Sequence, residues 1–215
     1  MADPRYAVSA ADVREGVRRL TQLCHREGIR LEILPGADVR LQPEVLEDLD
    51  AGRILTLADA GRFLLMELPP QALPPLERLL HLLGEREVAP ILTHPERHAV
   101  LCRNPKRLRR LVRQGCLVQI TGASLLGDFG RVARRAAERF LKLGLVHAVA
   151  SDAHAPEGMR GPDFAPVVAR LLALVGMDKT RELLCDRPTA MLAAWRRLAR
   201  PLPTGGASDT EQRVA

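Results

Sequence analysis

Seven side chains of this 215-residue chain are of types that do phosphate and metal chemistry, and each closes or follows a short apolar run: Asp38, Glu67, His94, Arg97, Asp152, His154 and Arg160. In parallel α/β proteins the C-terminal ends of the strands meet at one mouth, where the chemistry collects. Carboxylates and imidazoles gathered there are costly to bury unpaired. A shared divalent ion would neutralise the acids and use the imidazoles. Mixed oxygen and nitrogen donors without cysteine suit manganese, iron or zinc better than calcium. Asp152 and His154 stand two residues apart, so both face the same side of a strand. Arg97 and Arg160 lie just beyond two of these ends, and a guanidinium fork matches two phosphate oxygens. Taken singly, Asp38 also suits a helix cap or an ion pair, and His94 before Pro95 suits a core histidine. The combination is what argues for a metal. His25, His81 and His147 fall within the bodies of elements and read as structural, while His98 is open to either reading.

The elements that would position these groups follow from periodicity and from Gly and Pro punctuation. A helix is expected over 9–27, capped by Ser9 and stopped at Gly28. IRLEIL (29–34) reads as the first buried strand, closed by Pro35-Gly36, with Asp38 beyond its end. A short helix follows at 43–52, and a strand at 62–68 ends in Glu67. The pattern continues with a helix at 74–86 and a strand at 88–94 that ends in His94. A helix at 105–115, a strand at 116–121, a helix at 128–144 and a strand at 145–154 complete the alternation. Helices at 163–176 and 178–199, with a break near Pro188, close the fold. Short apolar strands alternating with helices predict an α/β domain with parallel strands wrapped by helices. The domain is expected to span 1–200, with a patternless, disordered tail at 201–215.

Composition narrows the classes. The chain is 47% hydrophobic and 27% charged, as in ordinary globular proteins. No apolar run approaches the roughly 20 residues of a membrane span, and the N-terminus has no secretory h-region. The four cysteines form no C-x-x-C pair, which predicts reduced thiols and a cytoplasmic protein. The net charge of +6 comes from 29 arginines and three lysines, scattered over helix faces with few aromatics, so it gives little support for nucleic-acid binding. Cys24 and Arg30 have the spacing of a cysteine-dependent phosphatase loop. However, Cys24 is expected near a helix C-terminus, where the dipole disfavours a thiolate.

At THPERH (93–98), QITGASLLGDFG (119–130) and ASDAH (150–154), the sequence resembles the bacterial manganese-dependent protein-tyrosine phosphatases of capsule and exopolysaccharide operons. These are members of the polymerase-and-histidinol-phosphatase (PHP) superfamily. LPGADVRL (34–41) and LLMELP (64–69) are similar to the intervening strand ends, and the resemblance runs from about residue 10 to about residue 195. It implies a distorted (β/α)7 barrel holding two or three divalent ions, with manganese expected and iron or zinc possible. It further implies Asp38, Glu67, His94, Asp152 and His154 as metal ligands, with Asp38 in the place of a glutamate. Arg97 and Arg160 are implied as the arginines that hold the substrate phosphate. The expected substrate is the phosphotyrosine tail of a tyrosine kinase that regulates polysaccharide assembly. Relatives of this family open with a strand carrying H-x-H and a second strand ending in a histidine. This chain carries neither, so the expected barrel is N-terminally incomplete, with about five strands and without three histidine ligands. The alternatives are another PHP phosphoesterase, of histidinol-phosphate or nuclease type, and a non-catalytic remnant that binds the kinase.

Overall fold

The computed structural model describes residues 8–198; the tail expected at 201–215 lies outside them. Five parallel strands lie side by side in chain order: β1 (Asp38–Arg40), β2 (Phe63–Glu67), β3 (Ala89–Thr93), β4 (Leu117–Thr121) and β5 (Ala148–Ala150). Pairing is parallel throughout, with Arg40 opposite Glu67, Leu65 opposite Ile91, Thr93 opposite Gln119 and Thr121 opposite Ala150. All five strands therefore end at the same side of the sheet.

Helices fill most of the connections: α1 (Ala10–Arg26), α2 (Val45–Asp50), α3 (Glu77–Glu85), α4 (Ala99–Arg103), α5 (Pro105–Arg113), α6 (Gly122–Leu126), α7 (Gly130–Lys142), α8 (Ala165–Arg181) and α9 (Arg187–Leu198). The expected cap of α1 is present as a reciprocal box between Ser9 and Asp12. α3 starts at Glu77 rather than at 74, after Pro74-Pro75. The break in the last helices has two parts. Gly176 leaves helical geometry at φ +77°, and residues 182–186 widen into a π-helical turn. Pro188 lacks an N–H and its ring crowds the carbonyl of Leu184, which accounts for the widened turn just before it.

Two strand expectations fail: β5 ends at Ala150, so Asp152 and His154 lie beyond the strand rather than on one face of it, and the first strand lies elsewhere in the chain. IRLEIL (29–34) is not a buried strand; it is irregular, with Ile29 and Leu31 more than half exposed. Its β-branched residues favour an extended chain, but a strand also needs a ladder partner. The ladder to β2 is made by Asp38–Arg40 instead. Asp38 consequently lies inside β1, not beyond its end.

The core is aliphatic, as the low aromatic content requires. Met66, Leu92, Val118 and Ile120 of the strands pack with Leu108, Leu125, Phe140, Leu171 and Leu183 of the helices, all fully buried. Val45, Leu64, Leu83 and Val88 form a smaller cluster on the β1 side. One glycine is required by packing: a Cβ on Gly122 would lie 2.8–2.9 Å from Val167 and Phe164, so the start of α6 can approach α8 only without a side chain.

Candidate functional site

β3 runs into a single 3-10 turn at Pro95–Arg97, which throws His94 and Arg97 toward the strand ends. His94 sits in the left-handed region (φ +36°), uncommon for a residue with a Cβ, and its backbone N–H donates to Gln119 O at 2.8 Å. Its Nε2 lies 3.3 Å from Asp38 Oδ2 and 3.8 Å from Glu67 Oε1. Thr93 donates to Asp38 Oδ1 at 3.0 Å and so fixes that carboxylate. Arg40 reaches Glu67 Oε2 at 3.2 Å. The β1, β2 and β3 groups singled out in the sequence thus meet, and Glu67 and His94, with Arg97, His98 and Pro70, line a cleft of about 160 Å³.

The β5 groups form a second half. Asp152 is also left-handed (φ +53°). Its Oδ2 receives Arg160 Nη2 at 3.0 Å and lies 3.3 Å from Arg97 Nη1. His154 Nδ1 is 2.8 Å from Asp152 O. Arg160 Nη2 lies against both ring nitrogens, at 2.7 Å from Nδ1 and 3.1 Å from Nε2. Arg97 joins the halves, since it shares a turn with His94 and pairs with Asp152. Its guanidinium carbon stacks 4.6 Å above the Phe129 ring centroid, a cation–π contact that holds it flat.

The donors of the β1–β3 half fit a divalent ion in part. Atoms bound to one such ion at about 2.1 Å lie about 3.0–3.4 Å apart. The His94–Asp38 spacing fits and the His94–Glu67 spacing is slightly wide. Donor types also fit, since two carboxylates converge on an imidazole. Among the described residues, no group of three or more His, Cys, Asp or Glu forms a ready-made cage. The β1–β3 trio could supply only part of a coordination shell. At the β5 half, a guanidinium already occupies the side that an ion would share.

Two side chains in contact with these groups escaped the sequence reading. Glu96 is fully buried, its Oε1 accepting from Thr121 N–H at 3.0 Å and from the Ser124 hydroxyl at 2.7 Å. Burial pushes its carboxyl above the ordinary range, partly offset by these hydrogen bonds and by nearby His94. An acid between two chemistry-bearing residues in a tight turn was the available signal. Phe129, stacked on Arg97, lies within the motif QITGASLLGDFG, which assigns it no role. His98 resolves as structural: its Nδ1 accepts from Leu101 N–H, leaving Nε2–H to face Pro69 O at 3.0 Å and Ala72 O at 3.2 Å. His147 is also structural, accepting Val118 N–H at 3.1 Å.

No thiol competes for the chemistry. Cys24 lies in the last turns of α1, as expected, and burial pushes the Cys116 thiol up to about 12. All four cysteines are free. Among the described residues, no helix is long and apolar enough to cross a membrane.

Residues 2–193 match the family described as capsular polysaccharide synthesis, CpsB/CapC. The tyrosine-protein phosphatase YwqE of Bacillus subtilis (strain 168) is 37% identical over 150 residues, 69% of this chain and 59% of that protein. The tyrosine-protein phosphatase CpsB of Streptococcus pneumoniae is 28% identical over 190 residues, covering 84% of this chain and 76% of that one. A chain from crystal structures of these two proteins, described as unique metal-dependent tyrosine phosphatases, superposes with a TM-score of 0.78. It is 31% identical and the match covers 87% of this chain and 74% of that chain. This chain spans 59% of the length of both YwqE and the CapC relative from Staphylococcus aureus.

Proposed function

The chain belongs to the CpsB/CapC family of capsular polysaccharide synthesis, and from that premise we propose that it is a metal-dependent protein-tyrosine phosphatase. The observation that carries this reading is the convergence of Asp38, Glu67 and His94 beside two guanidinia that meet at Asp152. We assign Asp38, Glu67, His94, Asp152 and His154 as ligands of two or three divalent ions, manganese first. When bound, such ions supply Lewis acidity toward the phosphoryl oxygens and toward a nucleophilic water.

The side chains have separable tasks. Thr93 holds Asp38 in a fixed orientation toward His94. Asp152 keeps Arg97 and Arg160 within reach of each other, and Phe129 holds the Arg97 plane. A phosphate dianion entering the mouth would take these guanidinium donors in exchange for the Asp152 carboxylate, which would then be among the groups able to hold a divalent ion. Two forks on a phosphoryl group stabilise the charge that spreads over its oxygens as the ester bond breaks. No cysteine intermediate takes part. The substrate proposed is a phosphotyrosine segment of a bacterial tyrosine kinase, and the compartment proposed is the cytoplasm. Completion of the sheet toward a PHP-type barrel, within a domain of residues 1–200, belongs to the same proposal.

A substrate panel with manganese tests this reading: a phosphotyrosine peptide, histidinol phosphate and single-stranded DNA, scored by product release. The expected result is preference for the peptide. Preference for histidinol phosphate or DNA would move the chain to another phosphoesterase class, and absence of turnover with fewer than two bound metals would favour a binding role.

A further inference from the structure

The turn 94–98 carries a metal-ligand candidate at one end and a phosphate-binding arginine near the other, yet the residue between them faces away from the mouth. Glu96 has no exposed surface. Its Oε1 takes two donors from the β4–α6 junction, the Thr121 N–H and the Ser124 hydroxyl, while its Oε2 is buried without a partner. A buried carboxyl with one unmatched oxygen costs more than an apolar side chain of similar size would. Packing alone therefore does not account for an acid here. What the acid does is span: it is the side chain that hydrogen-bonds the His94–Arg97 turn to the end of β4 and the start of α6.

The opposite flank is fastened by His98, whose ring faces Pro69 O and Ala72 O. Cys102 Sγ also donates to Glu96 O at 2.7 Å, tying the turn to α4. The Arg97 side chain, by contrast, is held at its tip, by Phe129 and Asp152. Phe129 follows α6 closely in the chain, so the junction that Glu96 grips also leads to the ring on which Arg97 lies.

We propose that Glu96 is a positioning residue that locks the 94–98 turn onto the β4–α6 junction and thereby places the Arg97 guanidinium at the phosphate site. It touches neither substrate nor metal. The assignment rests on the reading of Arg97 as a phosphate clamp.

The test compares Glu96→Ala, Glu96→Gln and Ser124→Ala with the parent chain, using a phosphotyrosine peptide and manganese. Glu96→Ala is expected to raise KM and to lower kcat/KM by about 30-fold, less than the about 10²–10³-fold cost of removing a placed donor outright. Glu96→Gln keeps an oxygen for both donors and is expected to recover most of that loss. Ser124→Ala removes one of the two donors and is expected to raise KM several-fold. Because Glu96 acts through Arg97, neither Glu96→Ala nor Ser124→Ala should add more than about two-fold to the defect of Arg97→Ala. Effects that multiply with Arg97→Ala, or a lowered melting temperature with unchanged KM, would show a merely structural role and overturn the assignment. If Glu96→Ala does not fold, Ser124→Ala and Glu96→Gln carry the same comparison.

A second readout needs no turnover. Arg97 lies over the Phe129 face, so its side-chain protons carry a ring-current shift in the NMR spectrum. That shift should diminish in Ser124→Ala and persist in Glu96→Gln. An inactive parent with this pattern would overturn the phosphatase reading and leave the Glu96 assignment standing. An unchanged shift in Ser124→Ala would overturn the assignment itself.

Discussion

The two halves of the mouth solve the problem of charge in opposite ways. At the β1–β3 half, two carboxylates face one imidazole, and the groups that orient them are a threonine hydroxyl and the single arginine Arg40. At the β5 half, one carboxylate is matched by two guanidinia, and the imidazole is covered by one of them. The first half is short of positive charge and the second is saturated with it. A bound cation is thus the natural complement of the first, and a bound anion the natural partner of the second's arginines. Metal affinity and phosphate affinity should therefore respond to different substitutions.

The largest expected effect is at the hinge of the metal half. His94→Ala removes the imidazole that both carboxylates face and should lower kcat/KM by about 10³-fold, ~4 kcal/mol in the barrier. Steady-state hydrolysis of a phosphotyrosine peptide checks this, and manganese titration calorimetry should show weakened binding as well. Next come the arginines. Arg160→Ala should lower kcat/KM by about 10²-fold while strengthening manganese binding, because Asp152 and His154 lose their competing guanidinium. Weakened manganese binding in this variant would break the division between the halves. Phe129→Ala should be milder, about three- to five-fold in KM, from loss of a partly exposed cation–π contact.

The smallest effect concerns stability away from the mouth. Burial and nearby Arg187 lower the His147 pKa from 6.5, and its Nδ1 must stay unprotonated to accept the Val118 N–H. The unfolded chain therefore binds the proton more readily than the folded one. The stabilisation from this histidine is complete above about pH 6.5 and is lost as pH falls through the lower folded value. Urea midpoints measured between pH 7.5 and 5 should fall less steeply in His147→Gln than in the parent.

Much of this architecture was legible in the sequence, and the exceptions have physical causes. The strands β2 to β5 announce themselves as short apolar runs ended by polar groups, because a parallel strand covered on both faces must be apolar throughout. That same rule misplaced β1. IRLEIL has the composition of a buried strand, but pairing depends on which segment lies beside Phe63–Glu67, and Asp38–Arg40 does so. The short helices α4 and α6 were missed, since one or two turns leave no periodicity to detect. The singled-out residues gather in two groups, Asp38, Glu67 and His94 in one and Arg97, Asp152, His154 and Arg160 in the other, six of them at or beyond strand ends and Asp38 from within β1. Their pairings were not readable: nothing in the spacing of Asp152, His154 and Arg160 says that the arginine would cover the histidine. Glu96 was invisible for a related reason. A buried acid and a solvated one look alike in sequence, and only the contacts to Thr121 and Ser124 tell them apart.

The central claim is that this mouth hydrolyses phosphotyrosine by means of a divalent ion held through His94. Its most direct test is phosphate release from a phosphotyrosine peptide by metal-stripped protein, before and after manganese is restored, in the parent and in His94→Ala. The account predicts no release without metal, release by the parent when manganese is restored, and almost none from His94→Ala. Vanadate-sensitive release that needs no metal, or that survives His94→Ala, would contradict it.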